Sequence, residues 1–369
     1  MKRLKSIDIF RGICMFIMVY GHMFDWWLRI EDYWFFDDVL KPLLGPIGAV
    51  GFVFISGIST GLSYKKNSLK AKNSDFSMRN LRDIYIVRAL LLLLIALIYN
   101  LTVAIRLNDL TFIWAWLILQ TISISLLISY PLLKFSKITR LIISLTFLVG
   151  NQFFLWWLLP FKGQLNFFGI LFHILYNPVE HYVIVPFFSI FLIGTVIGDL
   201  ILDINLINSQ IERREIFKNK LIFYMLLFGT TSTLIGVLYF YPNFFIYGTY
   251  SSVIYSFGIV TCLFAGLITL EEYEILKTKK NYRYLYYYSY YSFSVYIIHN
   301  LLYFLFVGQL TIITIWIPIL LIIPLLGLLL KMIYKYLGMK ASLKALMSVA
   351  SYLIVTKITA KKASKKKLL

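Results

Sequence analysis

The sequence is poor in charge, cysteine and histidine, and these shortages exclude several classes of protein. Only 14% of its 369 residues are charged while 60% are hydrophobic, which excludes a soluble globular domain. The two cysteines, Cys14 and Cys262, both lie in apolar runs, which argues against a disulfide framework or a cysteine metal site. The four histidines are widely separated, so the sequence predicts no metal centre.

Apolar runs of nearly membrane-spanning length recur along the whole chain and predict an all-α polytopic membrane protein. About ten transmembrane helices are predicted, at residues 7–28, 44–64, 84–105, 111–130, 141–159, 182–201, 220–241, 246–270, 287–308 and 312–336. Residues 164–177 are too short and interrupted to cross, and are predicted as a re-entrant or short eleventh helix. The first run is expected to be a span rather than a cleaved signal peptide. The pattern shows no discontinuous helix.

The basic residues orient the chain. With the N-terminus in the cytoplasm, 31 of the 36 lysines and arginines fall in the termini and cytoplasmic loops, so both termini are predicted to be cytoplasmic. Orientation and contact with anionic lipid explain the net charge of +19, and nothing indicates nucleic-acid binding. Residues 1–340 are predicted as one transmembrane domain, and residues 341–369 as a basic amphipathic tail on the inner leaflet.

The first span carries charged and titratable residues, which are expensive inside a membrane and are usually functional. Asp8, Arg11, His22 and Asp25 share one helix face, and Arg11 and His22 lie about 16 Å apart along the axis. One interpretation is an arginine near the cytoplasmic side and a histidine base near the far side, oriented or made more basic by Asp25. The alternative is an Asp8–Arg11 pair that positions the helix end, with His22 as an interface residue.

The loop after the first span, residues 25–38, mixes carboxylates with aromatic side chains. Aromatic faces that stack on sugar rings, beside acids that bond hydroxyls, would suit a polar acceptor. The alternative is an interfacial aromatic belt with acidic residues outside the membrane.

Small and hydroxyl residues, among them Ser56, Gly57 and Gly61, mark the second span. Their spacing predicts close helix contact, and the same smooth surface could leave a slot for a narrow ligand arm. The loop that follows is rich in basic residues and contains Arg79 and Arg82. It could hold nucleotide phosphates, or it could serve only to orient the chain.

Two further polar clusters are predicted on the extracytoplasmic side. Tyr296, His299 and Asn300 lie in the ninth span, and His299 reaches a depth comparable to that of His22, so the two histidines could line one cavity. Glu180 and His181 precede the sixth span and form the other cluster. Alternatively, His299 bonds a neighbouring carbonyl, and Glu180 and His181 are ordinary interface residues.

Several of these segments resemble the transmembrane acyltransferases. The stretches Leu4–Gly12, Phe54–Ser59 and Ser294–Asn300, and the spacing of Arg11 to His22, are similar to the catalytic region of heparan-α-glucosaminide N-acetyltransferase and its prokaryotic relatives. The related acyltransferase family three shares the Arg-x10-His element. The resemblance runs from residue 4 to about residue 310.

The resemblance implies acyl transfer across the membrane, with cytoplasmic acyl-CoA, expected to be acetyl-CoA, as co-substrate and no metal. His22, with Asp25, would deprotonate a hydroxyl or amine of an extracytoplasmic glycan or lipid-linked sugar, or would itself be acylated. The residues expected to bind acyl-CoA are Arg11, Asp8, Ser56, Arg79 and Arg82.

The human-type enzyme has an asparagine at the position of His22 and its catalytic histidine near that of Tyr33, so this chain follows the arginine–histidine pattern of family three. The alternative function is a transporter or flippase for a polar lipid or sugar, with Asp8, Arg11, His22 and His299 lining its path. The expected location is the plasma membrane of a prokaryote, in contact with membrane lipid. A homo-oligomer is compatible with the sequence.

Overall fold

The computed structural model describes residues 4–72, 78–178, 181–245, 249–275 and 282–368. Within those ranges the regular structure is helical, apart from one isolated β-bridge between Leu28 and Leu310. The α-helices are α1 Lys5–Trp27, α2 Lys41–Gly45, α3 Gly51–Lys72, α4 Met78–Leu107, α5 Ile118–Leu132, α6 Lys137–Leu158, α7 Phe167–Tyr176, α8 Ile184–Asn205, α9 Gln210–Ile216, α10 Phe223–Tyr239, α11 Tyr250–Glu272, α12 Arg283–Tyr290, α13 Ser292–Ile298, α14 Trp316–Tyr336 and α15 Leu343–Leu368. Short 3-10 and π-helical turns lie between several of them.

In the described part of the chain, ten helical stretches are long and apolar enough to cross a membrane. Nine of them coincide with predicted spans, which confirms the polytopic all-α fold. The helix α7 has ten residues, so it is about 15 Å long and spans roughly half of the hydrocarbon core. It therefore fits the short segment predicted at residues 164–177.

The predicted span at 287–308 is wrong as a continuous helix. It consists of α12, α13 and a 3-10 helix over His299–Phe304, with the break between α12 and α13 at Tyr291, whose φ of −96° and ψ of 16° leave the helical region. Side chains at the break bond the turn at 338–342, since the Tyr291 hydroxyl donates to the Gly338 carbonyl (2.7 Å) and Ser294 donates to the Ala341 carbonyl (2.8 Å). These tertiary bonds are invisible to a hydropathy pattern.

The tail forms the helix α15, and its first part, Leu343–Ala360, meets the length and composition of a membrane span. By length and composition this helix could cross the membrane. The amphipathic sequence pattern instead predicts that it lies on the inner leaflet, and this placement stays a prediction. The cytoplasmic position of both termini, and the division of the chain at residue 341, stay predictions.

The chain divides into two compact units. The first unit comprises Met1–Ile55, Ser209–Ile246 and Ser251–Ala345, and the second comprises Ser56–Asn208, Tyr247–Tyr250 and Leu346–Leu369.

In the first unit, α1 is the central helix, and its side chains Phe10, Met15 and Phe24 are almost completely buried. Phe10 meets Phe264 of α11 edge to face, with ring centroids 5.4 Å apart. On another face, Gly12 lets α12 approach so closely that an added Cβ would lie 2.2 Å from the Leu285 carbonyl oxygen. The absence of a side chain at Gly12 thus brings α1 and α12 into direct backbone contact.

In the second unit, α8 is the most enclosed helix, with 94% of its membrane-length window buried. Its partner is α3, whose small residues permit close approach as the spacing predicts. A Cβ at Gly57 would lie 2.1 Å from the Phe191 carbonyl oxygen, and one at Gly61 would lie 2.3 Å from that of Thr195. The prediction of close helix contact in the second span is therefore confirmed.

Candidate active site

The helix α1 and the broken segment α12–α13 run side by side in the first unit, and the predicted arginine lies at one end of this contact. Arg11 is buried and its Nη1 donates to the Ser289 hydroxyl of α12 (3.3 Å). The same nitrogen lies 3.6 Å from the Asp8 carboxylate, and Ser289 donates to that carboxylate (3.5 Å). Arg11, Asp8 and Ser289 thus form a buried hydrogen-bonded group with one positive and one negative charge. The predicted Asp8–Arg11 pair is present.

The N-terminus of α1 is fixed by α11. The backbone N–H groups of Lys5 and Ser6 donate to the two carboxylate oxygens of Glu271, at 2.9 and 2.7 Å. An acid at a helix N-terminus satisfies amides that have no partner within the helix and interacts favourably with the helix dipole. These bonds fix the start of the helix that carries Arg11 against α11.

At the other end of the contact, two histidines meet. The imidazole of His22 on α1 lies 5.1 Å, between ring centroids, from that of His299, which follows α13. The indole of Trp26, one turn after His22, is nearly parallel to both rings, with centroids 4.9 Å from His22 and 5.6 Å from His299. The two histidines, for which the sequence predicts a comparable depth, therefore lie side by side, although neither is among the described residues that line the adjoining cleft.

His299 is 4% exposed, and its ring is held in one orientation by its own helix. Its Nδ1 lies 2.6 Å from the Tyr296 carbonyl oxygen, so Nδ1 carries the proton and Nε2 presents a lone pair. That Nε2 is buried and has no hydrogen-bond partner among the residues that the structure describes. Asn300 donates to the same carbonyl (3.4 Å). The bond of His299 to a neighbouring carbonyl, stated above as the alternative, is therefore present, and a functional role for Tyr296, His299 and Asn300 stays a prediction.

The loop after His299 is tied to the end of α1. Gly308 N–H donates to the Trp26 carbonyl (2.9 Å), Leu310 N–H to that of Trp27 (2.8 Å), and Arg29 N–H to that of Leu310 (2.9 Å). The indole N–H of Trp27 donates to the Leu302 carbonyl (2.8 Å). Together these bonds hold the two histidine-bearing segments in register, as a preorganised site requires.

A cleft of about 840 Å³ opens beside the histidine pair, within the size range of small-molecule sites. Its lining combines three carboxylates with aromatic rings: Asp25, Trp26, Leu28, Arg29, Ile30, Glu31, Asp32, Tyr33, Tyr303, Val307, Gly308 and Thr311. Asp25 accepts a hydrogen bond from the Tyr33 hydroxyl. The predicted mixture of acids and aromatics after the first span therefore forms a concave surface.

The other predicted site residues belong to the second unit. Ser56 is half-buried at the unit's first position, while Arg79 and Arg82 are exposed near the start of α4, where Arg82 pairs with Asp83 (2.8 Å). His181 packs against the rings of Phe112 and Tyr182. Glu180 lies outside the described residues. The roles of these residues stay predictions.

A buried ion pair in the second unit involves residues that the sequence patterns did not mark as a site. Arg140 on α6, 1% exposed, bonds the Asp199 carboxylate of α8 and donates to the Thr195 hydroxyl (3.0 Å). One turn along α8, Asp203 bonds both Lys65 and Lys137. The spacing of Asp199 and Asp203 at the end of an apolar span was the signal that could have located these pairs.

Fold and site together define a polytopic α-helical membrane protein whose first helix pairs a buried arginine, and further along a histidine, with a broken helix. Comparison with protein-family models matches residues 3–244 to the family described as heparan-alpha-glucosaminide N-acetyltransferase, catalytic. The match covers about two-thirds of the chain, and the protein belongs to this family of membrane acyltransferases. Neither a search of curated proteins nor a search of solved structures gave a match. His299 lies beyond the matched residues.

Proposed function

We propose that the protein moves an acyl group, in the first instance acetyl, from cytoplasmic acyl-CoA to a hydroxyl or amine of an extracytoplasmic glycan or lipid-linked sugar. One observation carries the proposal: α1 holds Arg11 against Ser289 at one end and His22 against His299 at the other. The two positions are about 16 Å apart along the helix. They suit a reaction whose donor and acceptor approach from opposite sides of a membrane, and family membership supports acyl transfer.

The arginine end is proposed to hold the donor. A guanidinium offers several N–H donors in a fixed plane, which suits the phosphate and carbonyl oxygens of an acyl-CoA. The acyl arm would then extend along α1 toward His22. The residues of the first unit proposed to bind acyl-CoA are Arg11 and Asp8.

The histidine end is proposed to hold the acceptor. His22 takes the proton of the acceptor hydroxyl or amine, whose oxygen or nitrogen attacks the thioester carbonyl; the C–S bond breaks, and the thiolate leaves and is protonated to CoA. In the two-step alternative, the His22 nitrogen attacks first and passes the acyl group on. Asp25, which lines the cleft, is proposed to orient His22 or raise its basicity. The aromatic and acidic lining of the cleft supports a polar acceptor with hydroxyl or amine groups.

The direct test is transfer of label from radioactive acetyl-CoA to the lipid and glycan fractions of membranes that contain the protein. We expect His22→Ala to abolish transfer, while His173→Ala, a half-buried histidine on α7 in the other unit, retains it. Arg11→Gln is expected to reduce transfer strongly, and Asp8→Asn/Arg11→Gln serves as the charge-balanced control for folding. Unchanged labelling in both His22→Ala and Arg11→Gln would refute the proposal. Label retained on the protein without acceptor would select the two-step route.

The transporter alternative has one observation in its favour, the break at Tyr291 between α12 and α13, because discontinuous helices line the binding sites of many transporters. A transporter moves its substrate without chemical change and needs no acyl-CoA. Mass spectrometry of the membrane lipids and glycans decides between the two, because only the acyltransferase adds the mass of an acyl group.

A further inference from the structure

Trp26 lies between the cleft and the histidine pair. It lines the cleft together with Tyr303, whose ring meets the indole edge to face at 5.7 Å. Neither His22 nor His299 is among the described residues that line the cleft. An acceptor in the cleft therefore meets the indole beside the two imidazoles that the proposed chemistry needs.

We infer that Trp26 is a positioning residue for acyl transfer, whose indole holds the His22 and His299 rings together and stabilises the positive charge formed when an imidazole takes the acceptor's proton. This inference rests on the proposed function. Trp26 itself neither gives nor takes a proton in the step.

The ring geometry carries the inference. The indole plane is tilted by only 17° from the His22 ring and 19° from the His299 ring, so each imidazole lies along the indole face rather than at its edge. Both centroids are within the 6 Å or so at which a cation is attracted to the negative face of an aromatic ring, and tryptophan provides the strongest such face. The indole face therefore favours the charged form of either imidazole.

The second imidazole sharpens this role. Two positive rings with centroids 5.1 Å apart repel each other, so the pair holds one proton at a time, and the indole lies against whichever ring carries it. His299 can accept that proton only at Nε2, because its Nδ1 is committed to the Tyr296 carbonyl. Trp26 therefore keeps a buried acceptor nitrogen next to the more accessible His22.

Other charged and titratable groups around this pair act on the same proton. From α1 and the loop that follows it come Asp25, Arg29, Glu31 and Asp32. From α13 comes Tyr296, and from the segment after α13 comes Tyr303. The Arg29 Nε–H donates to the Gln309 carbonyl (3.0 Å), and the Asp32 carboxylate accepts a hydrogen bond from Ile312 N–H (3.1 Å). Substitution of Trp26 leaves these charges in place, so the indole can be tested separately from them.

The experiment compares Trp26→Leu with Trp26→Phe in the acetyl-CoA transfer assay on the full chain, across pH. Loss of the aromatic face makes protonation of the pair harder, so the acid limb of kcat/KM for Trp26→Leu is expected to move about one pH unit lower. Its kcat is expected to fall about three- to tenfold with the KM for acetyl-CoA unchanged. Trp26→Phe keeps an aromatic face and is expected to restore both the limb and most of kcat.

The outcomes separate this inference from the proposed function. An unmoved acid limb in Trp26→Leu, or equal shifts in the Leu and Phe variants, would overturn the role of the indole while His22→Ala remained inactive. If His22→Ala and Arg11→Gln both transfer normally, the proposed function fails instead. If Trp26→Leu does not fold, Trp26→Met provides a second non-aromatic variant. Its acid limb of kcat/KM is expected to move to lower pH by the same amount as that of Trp26→Leu.

Discussion

Gly12 offers the most specific test of how the site is held together. It lies beside Arg11 on α1 at the closest approach to α12, where an added Cβ would sit 2.2 Å from the Leu285 carbonyl oxygen and 2.8 Å from its carbon. These atoms belong to a helix backbone, so they cannot rotate away as a flexible side chain would. Substitution by alanine therefore requires α1 and α12 to separate.

The size of the effect follows from the distances. A gap of 2.2 Å is about 1.2 Å short of the 3.4 Å at which ordinary van der Waals contact begins. Overpacking of this kind costs about 1–3 kcal/mol of stability. The same helix contact sets the Arg11–Ser289 and His22–His299 distances, and a displacement of about 1 Å in a catalytic site can lower the rate about a hundredfold. Gly12→Ala is thus expected to lower the transfer rate about a hundredfold, while its stability falls by only about 1–3 kcal/mol.

The assay measures acetyl-CoA-dependent labelling and the melting temperature on the same preparations, with Gly21→Ala as the matched control. Gly21 is on the same helix, directly before His22, yet an added Cβ there meets nothing within 4 Å. Gly21→Ala is expected to keep its activity and to gain up to about 1 kcal/mol from helix propensity. Transfer by Gly12→Ala as fast as by the wild type, or an equal loss of activity in both variants, would show that the close contact of α1 with α12 does not position the site.

Two further predictions concern the rest of the fold. Arg140→Met leaves the buried Asp199 carboxylate without its arginine and is expected to destabilise the protein by about 3–5 kcal/mol, whereas the double variant Arg140→Met/Asp199→Leu recovers most of that loss. Thermal unfolding of the two single variants and the double variant measures these losses of stability. A loss in the double variant equal to the sum of the single losses would contradict the prediction. Ser294→Ala removes two bonds: the one that Ser294 donates to the Ala341 carbonyl in the turn at 338–342, and the one that it accepts from Leu343 N–H at the start of α15. A loss of about 1–3 kcal/mol in the free energy of unfolding is expected. An unchanged melting temperature would show that these bonds do not stabilise the break between α12 and α13.

Local patterns in the sequence were enough for the helices that cross the membrane and for two of their contacts. Hydropathy is a property of each run, so nine spans could be placed without knowledge of their neighbours. The small residues Gly57 and Gly61 predicted a close contact because only small residues permit one. The approach of His22 and His299 followed from equal depth, since helices that begin at the same membrane surface carry equally deep residues at one level.

What could not be predicted depends on partners far away in the sequence. The break at Tyr291 is stabilised by the turn at 338–342, and no local signal in this tyrosine-rich run marks it. Arg140 follows a short polar loop, so from the sequence it resembles the basic residues that orient a membrane protein. Its ion pair with Asp199 of α8 is visible only in the structure. Trp26 belongs to an aromatic stretch that also fits a membrane-interface belt, and only the two imidazoles beside it reveal its place in the site.

The central claim is that this membrane protein uses acyl-CoA, and the melting temperature of the purified protein with and without acetyl-CoA tests it most directly. A ligand at a hundred times its dissociation constant stabilises the folded state by about 2.7 kcal/mol, which is easily measured. The account predicts stabilisation of the wild type and of His22→Ala, and its loss in Asp8→Asn/Arg11→Gln. A wild-type melting temperature that neither acetyl-CoA nor longer acyl-CoAs change would contradict the acyltransferase account and favour transport.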